Sequence, residues 1–348
     1  MGRSADQKQK YLWLDCDPGH DDAFAILLAL HTPGVHLLGM STVAGNQDVE
    51  KTTLNAQKIL SLSNKLGEVT VLKGQSKPLL REKRHDPDIH GESGLEGSKA
   101  LDAYSKAVVF PASEKLNADH KGENTLWICK MAERITEAPA PVTIVATGAL
   151  TNVALFITLY PELLKTKVQQ IVLMGGAIGI GNRSPVAEFN ILCDPESAKI
   201  VFESDTKVVM VPLEVTHTAL ATGSVLQQIK DIDSPFAKMS VDLLCFFKDT
   251  YKDVFDFDDP PVHDPCAVAY VIAPEIFVTK FWHVEVICGE HTCAGQTVCD
   301  IWEDFATGKA KNVHVTTKMD VGAFWNMMLS ALKECNKTTG FNEYVDKQ

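Results

Sequence analysis

Short apolar runs rich in Val, Ile and Leu recur along the chain, each followed by a stretch whose apolar positions repeat at helical spacing. Residues 11–14, 37–43, 69–72, 142–146, 168–174 and 208–211 read as buried strands, and residues 22–30, 52–62, 125–135, 152–160 and 197–202 as the helices between them. This alternation predicts an α/β fold with an open, mainly parallel sheet and helices on both faces. Ligands in such folds sit beyond the carboxyl ends of the strands, so polar residues just after a strand carry the functional interest. No repeat, low-complexity block or Pro/Ser-rich linker interrupts the pattern. That predicts a single domain over residues 11–338, with a flexible tail at 1–10 and a polar, frayed tail at 339–348. Two polar stretches, 73–97 and 249–263, are too long for tight turns and read as lid-like loops.

Composition narrows the partners more than the fold. The 348 residues suffice for a sizeable core, and 33 basic against 45 acidic side chains leave a formal charge of −12. Such a field repels phosphate polyanions and anionic lipid, which excludes nucleic acid and membrane surfaces as expected partners. The nine cysteines are scattered, form no CxxC pair, and in the late group Cys288, Cys293 and Cys299 lack zinc spacing. They read as thiols of a reducing compartment. The first residues, MGRSADQKQK, carry no apolar export segment, and Asp6 stands where a myristoylation signal wants Ser or Thr. No apolar run approaches the ~18 residues a membrane span needs, so a cytoplasmic location is expected.

The chemistry concentrates directly after the first strand, in DCDPGHDDAFA. Asp15 and Asp17 point to one side of extended chain, Pro18-Gly19 breaks the strand, and Asp21 and Asp22 open the next helix. A helix N-terminus favours each nearby anion by only about 0.3–1 kcal/mol. Two carboxylates about 4 Å apart repel by roughly 4 kcal/mol at an effective dielectric near 20. Either several of the four are protonated, or a hard divalent cation sits among them; all-oxygen ligation suits Ca²⁺ or Mg²⁺ rather than zinc. Taken alone, Asp21 reads as a helix cap. Far downstream, in VHDP, Asp264 followed by Pro265 reads as a helix N-cap with proline at the first helical position, which leaves His263 unexplained.

Further phrases follow in order: STVAGNQ around Asn46, DIHGESG around His90, ATGALTN around Thr147, VLMGGAIGIGN ending at Asn182, AEFNILCDPESA around Glu188 and Asn190, and VHDPCAVAYVI at His263 and Asp264. Together with DCDPGHDDA they resemble the inosine–uridine-type nucleoside hydrolases over nearly the whole chain. The resemblance implies a mixed-sheet α/β fold with a Rossmann-like core, a bound Ca²⁺, and hydrolysis of the N-glycosidic bond of ribonucleosides in nucleoside salvage. It implies metal ligation by Asp17, Asp22, the Thr147 carbonyl and Asp264, with Asp17 also acting as general base and Asp15 as a support behind it. Ribose is then expected against Asp21, Asn46, Asn182, Glu188 and Asn190, with Met174 beneath the sugar. The base is expected near His90, Tyr251 and His263, the last a candidate general acid. A homodimer or homotetramer is likewise implied by the resemblance alone.

Several features read differently by themselves. His90 alone would be a solvated loop side chain and Met174 a core residue, and only the surrounding phrases assign them. The glycines at 175, 176, 179 and 181 mimic a dinucleotide loop without a GxGxxG register. Asn182-Arg183-Ser184 and Asn336-Lys337-Thr338 fit a glycosylation sequon by chance. Near the lid the chain departs from the family pattern: Phe247 stands where some relatives carry a second Tyr, and a polar residue expected near Phe255 is missing. Those departures bear on purine against pyrimidine preference, with a purine-specific or nicotinamide riboside hydrolase as the alternatives. A haloacid-dehalogenase-type phosphatase is disfavoured because Pro18-Gly19-His20 follows its would-be DxD. A non-catalytic nucleoside sensor is disfavoured because every matched catalytic position is intact.

Overall fold

A computed structural model describes residues 9–112, 126–303 and 308–348. Its centre is an eight-stranded sheet. The strands are β1 (Lys10–Cys16), β2 (Val35–Thr42), β3 (Thr70–Lys73), β4 (Val142–Ala146), β5 (Val168–Met174) and β6 (Val208–Val211), then β7 (Phe277–Trp282) and β10 (Val313–Met319). They lie in the order β3-β2-β1-β4-β5-β6-β10-β7, and β8 (Val284–Val286) pairs with β9 (Thr297–Cys299) apart from it. Every neighbouring pair in the large sheet is parallel except β7 with β10, which makes the sheet mixed at one edge.

Alternation along the strands builds the two faces. Leu12, Leu14, Val145, Val172 and Val209 enter one apolar core, with helices His20–His31, Asp264–Ile272 and Val321–Thr338. Trp13, Ile144, Ile171, Leu173 and Val208 enter the other, with helices Trp127–Glu137, Thr151–Leu159 and Pro195–Phe202. Burial on both faces explains why these strands read as unbroken apolar runs.

The six expected strands are present, three of them with the expected ends and three within about two residues. The departures lie late in the chain. Residues 249–255 are not loop: helix Pro235–Phe255, capped by Ser234, runs through them and stops where Asp256 turns left-handed at φ 58°. The 73–97 stretch contains a short helix, Pro87–His90. Residues 339–348 are not a frayed tail. Thr339 caps helix Gly340–Asp346, Phe341 is fully buried, and Tyr104 meets the rings of Phe341 and Tyr344 edge-on at 5.4 and 5.2 Å. Two aromatic residues in a short polar segment suffice to dock it. At the other end, residues 1–8 of the expected tail lie outside the described residues, as does Thr125 of the expected helix. All nine cysteines are free thiols. Among the described residues no helix is long and apolar enough to cross a membrane.

Candidate active site

The chain order reverses between β1 and β4, which are neighbours in the sheet although β2 and β3 intervene in sequence. A crevice opens at the carboxyl ends of strands at such a point. Asp17 immediately follows β1, Thr147 follows β4, and Met174 ends β5. Pro18 and Gly19 turn the chain into helix His20–His31, which delivers Asp21 and Asp22 in its first turn. Helix Asp264–Ile272 brings in Asp264 as its first residue, with His263 at the cap, so it starts one position earlier than the sequence suggests.

Asp21, Asp22 and Asp264 gather so that one oxygen of each lies within 4.8 Å of the others, and all three are buried. Asp22 Oδ1 accepts from the Thr147 hydroxyl at 2.8 Å, while Oδ2 accepts from the Gly19 amide at 3.1 Å and Asn46 Nδ2 at 3.3 Å. Asp17 stands behind the trio. Its Oδ2 accepts from the Asn46 amide at 2.7 Å, and its buried Oδ1 has no partner among the described residues. Gly45 and Gly148 close in on it: a Cβ at either would lie 2.0 Å from Oδ2 or 2.6 Å from Oδ1, so neither position has room for a side chain. Asp15 is turned into a separate network, accepting from Asn152 Nδ2 at 2.8 Å and from the Ser41 hydroxyl.

Burial sets the electrostatics. Desolvation pushes the Asp15 and Asp21 carboxyls up to about 7, with Asp22 adding repulsion at Asp21. Burial likewise raises Asp22, Asp17 and Asp264; repulsion from neighbouring aspartates adds to the last two. A set of oxygens that hold protons because they are buried, and in part because they are crowded, is the donor chemistry whose protons a hard divalent cation replaces. The residues therefore fit a metal: all-oxygen donors, one orphaned carboxylate oxygen, and a backbone pared to glycine around it. Of the four ligands expected, Asp22 and Asp264 are brought together, but with Asp21 rather than Asp17. The Thr147 carbonyl accepts from Asn190 Nδ2 at 2.9 Å.

Above the trio lies a cavity of about 40 Å³. All eight residues expected to hold substrate line it: Asp21, Asn46, His90, Met174, Asn182, Glu188, Asn190 and Tyr251, together with Thr147, His263 and Asp264. Glu188 caps helix Phe189–Cys193, its carboxylate accepting from the Asn190, Gly176 and Ile191 amides at 2.8, 3.0 and 3.1 Å. Burial still lifts it to about 7. On the opposite wall, His263 Nε2 lies 2.7 Å from the Tyr251 hydroxyl and Nδ1 lies 2.7 Å from the Thr216 hydroxyl. His90 packs against Phe247 at 5.5 Å, and Phe247 meets Tyr251 edge-on at 4.7 Å. Desolvation holds His90 and His263 well below the usual imidazole range, and the neighbouring imidazoles add to this, His20 at His90 and His217 then His90 at His263. Both rings are neutral near pH 7.

The cavity has lining that sequence reasoning missed: Asp86, Ile89, Phe189 and Phe255, with Thr216 behind His263. Phe189 sits inside the AEFN phrase and was within reach. Thr216 follows no motif, and only the fold reveals its contact.

An α/β fold with buried carboxylates at its switch point, facing amides and neutral histidines, has the build of a small-ligand site. Residues 12–326 match the inosine-uridine preferring nucleoside hydrolase family. A probable ribonucleoside hydrolase of Dictyostelium discoideum is 43% identical over 334 residues, covering 93% of this chain and 94% of that one. A pyrimidine-specific ribonucleoside hydrolase of Salmonella paratyphi C is 41% identical over 322 residues, covering 92% and 97%. Among solved structures, the purine-preferring ribonucleoside hydrolase from Gardnerella vaginalis superposes with a TM-score of 0.80 at 30% identity, covering 94% of this chain and 99% of that one. The chain belongs to the inosine-uridine preferring nucleoside hydrolase family and is an N-glycosidase.

Proposed function

We propose that the enzyme hydrolyses ribonucleosides in a Ca²⁺-dependent reaction, releasing free base and ribose for cytoplasmic nucleoside salvage. Uridine and inosine are the candidate substrates, and the pyrimidine-specific relative favours uridine. The reading is carried by one observation: of three gathered carboxylates, Asp21 and Asp264 line a pocket they share with Asn46, Asn182, Asn190, His90 and Tyr251, while Asp22 and the unpartnered Asp17 Oδ1 stand buried behind them.

Asp22 and Asp264 would hold the cation, and Asp17 and the Thr147 carbonyl would complete its ligands. When bound, Ca²⁺ supplies positive charge that keeps these carboxylates ionised and polarises the ribose hydroxyls and water around it. Asp17 accepts the proton of the attacking water at Oδ1, its other oxygen being fixed by the Asn46 amide. Asp21, Asn46, Asn182, Glu188 and Asn190 grip the ribose, and Met174 supports it. Cleavage of the C1′–N bond builds positive charge on the sugar ring. Ionised Asp17 and Glu188 and the amide oxygens favour that charge, most strongly once water is excluded. The departing base meets His90, Tyr251 and His263. His263, held neutral, meets the Tyr251 hydroxyl at Nε2 and so orients that hydroxyl to donate a hydrogen bond to the departing base.

Ribose release from uridine, cytidine and inosine by calcium-loaded protein tests the reading. The expected result is a kcat/KM for uridine about tenfold above that for inosine, the scale on which pocket contacts discriminate. Inosine turned over faster than uridine would contradict the base preference, and no ribose from any of them would contradict the activity.

A further inference from the structure

The cavity raises the matter of access. At about 40 Å³ the cavity is narrow. Pockets for small organic ligands span roughly 300–1,000 Å³. A second chamber of about 570 Å³ lies beyond Asn182, Tyr251 and Phe255, which line both spaces. The room a nucleoside finds beside the carboxylates therefore depends on where that shared partition stands.

One side chain ties the partition's supports together. Arg183 follows Asn182 on a loop whose course is fixed by Ser184 Oγ accepting from the Ala187 amide at 2.8 Å and Asn182 Oδ1 accepting from the Phe189 amide at 3.0 Å. Its guanidinium forms a two-pronged pair with Asp86, Nε donating to Oδ2 at 2.9 Å and Nη2 to Oδ1. It also lies 5.3 Å from the Phe255 ring centroid. Asp86 lines the cavity, and its carbonyl accepts from the His90 amide at 3.1 Å. Phe255 packs on Tyr251 at 5.2 Å. Three segments far apart in sequence, carrying Asn182, His90 and Tyr251, thus meet at one guanidinium.

We propose that Arg183 is a positioning residue that latches the base-side wall closed over a bound nucleoside and lets go for entry and exit. The inference rests on the ribonucleoside-hydrolase reading. A two-pronged, charge-assisted pair is directional, and a flat guanidinium stacks on a ring in a way an ammonium does not. The Arg183 side chain keeps 22% of its surface in solvent and Asp86 9%, so the pair parts into water more readily than the fully buried carboxylates beneath it.

Steady-state kinetics on uridine for Arg183→Ala, Asp86→Asn, the double variant and Arg183→Lys, with Ca²⁺ affinity measured alongside, test the latch. Each single variant is expected to lose about tenfold or more in kcat/KM, as misplaced groups do. The double variant loses no more than the worse single one, because both remove the same contact. Arg183→Lys recovers little, and Ca²⁺ affinity stays within about twofold throughout. Arg183→Ala within about twofold of wild type, losses that multiply in the double variant, or a matching fall in Ca²⁺ affinity would each overturn the latch. Wild-type protein that releases no ribose would instead sink the underlying reading, so the two failures are distinguishable.

Discussion

The floor and the base-side wall of the pocket are built on opposite plans. The floor is made of short polar side chains, Asp17, Asp21, Asp22, Thr147 and Asp264, mounted on strand ends and first helical turns and locked by backbone amides. The wall is made of rings, His90, Phe247, Tyr251, Phe255 and His263, that touch one another and come from the short helix Pro87–His90, the second half of helix Pro235–Phe255 and the cap of helix Asp264–Ile272. Charge has to be placed to a fraction of an ångström and rigid elements do that, whereas a base of variable size asks only for a flat, adjustable surface. In the proposed function the floor carries the reaction and the wall meets the base.

The largest expected effect falls on the floor. Asp17→Asn should cut kcat by about a thousandfold, within the range spanned by general bases, with the circular dichroism spectrum unchanged. A loss no greater than that of the wall variants would erase the division. Next comes His263→Ala, expected to slow inosine about a hundredfold but an activated nitrophenyl riboside, whose leaving group needs no proton, by well under tenfold. Equal losses on the two substrates would take proton delivery away from the wall.

A pH experiment sharpens the comparison because the two regions have opposite signs. The floor carboxyls are raised; for Asp21, lifted to about 7, the contribution to stability in protein stripped of metal is fully present below about pH 4 and is lost as pH rises through about 7. The wall histidines are lowered, so theirs is present above about pH 6.5 and is lost as pH falls below it. Added Ca²⁺ must displace the floor protons. Its affinity, and the rise in Tm it produces, should increase several-fold between about pH 5.5 and 7.5; a flat profile would mean the raised carboxyls are not its ligands. The smallest effect is expected from Phe247→Leu, a swap of similar volume costing about 1.5 kcal/mol or less. The ratio of uridine to inosine turnover should shift by a few-fold while Ca²⁺ affinity stays fixed.

The same division governs what could be read from the chain. Asp15 to Asp22 stand out because four carboxylates in eight residues are costly in any structure and so demand an explanation from the sequence alone. The strands from β1 to β6 are legible because burial on both faces makes them continuous apolar runs. β7 escapes because it lies at the sheet edge and alternates exposed Val278 and Phe281 with Lys280, leaving no clear period. Helix Pro235–Phe255 is hidden at its end by the charged residues Asp249, Lys252 and Asp253 on its solvent side, which read as loop. Thr216 and Asp86 belong to the site only through tertiary contacts with His263 and Arg183, and no local pattern announces them.

The most direct test of the account is the metal content of the active enzyme, determined by elemental analysis on the same preparation used for uridine kinetics. The account predicts one calcium per chain, falling to near zero in Asp264→Asn together with activity. Fully active protein carrying less than about a tenth of an equivalent of any divalent metal would contradict it.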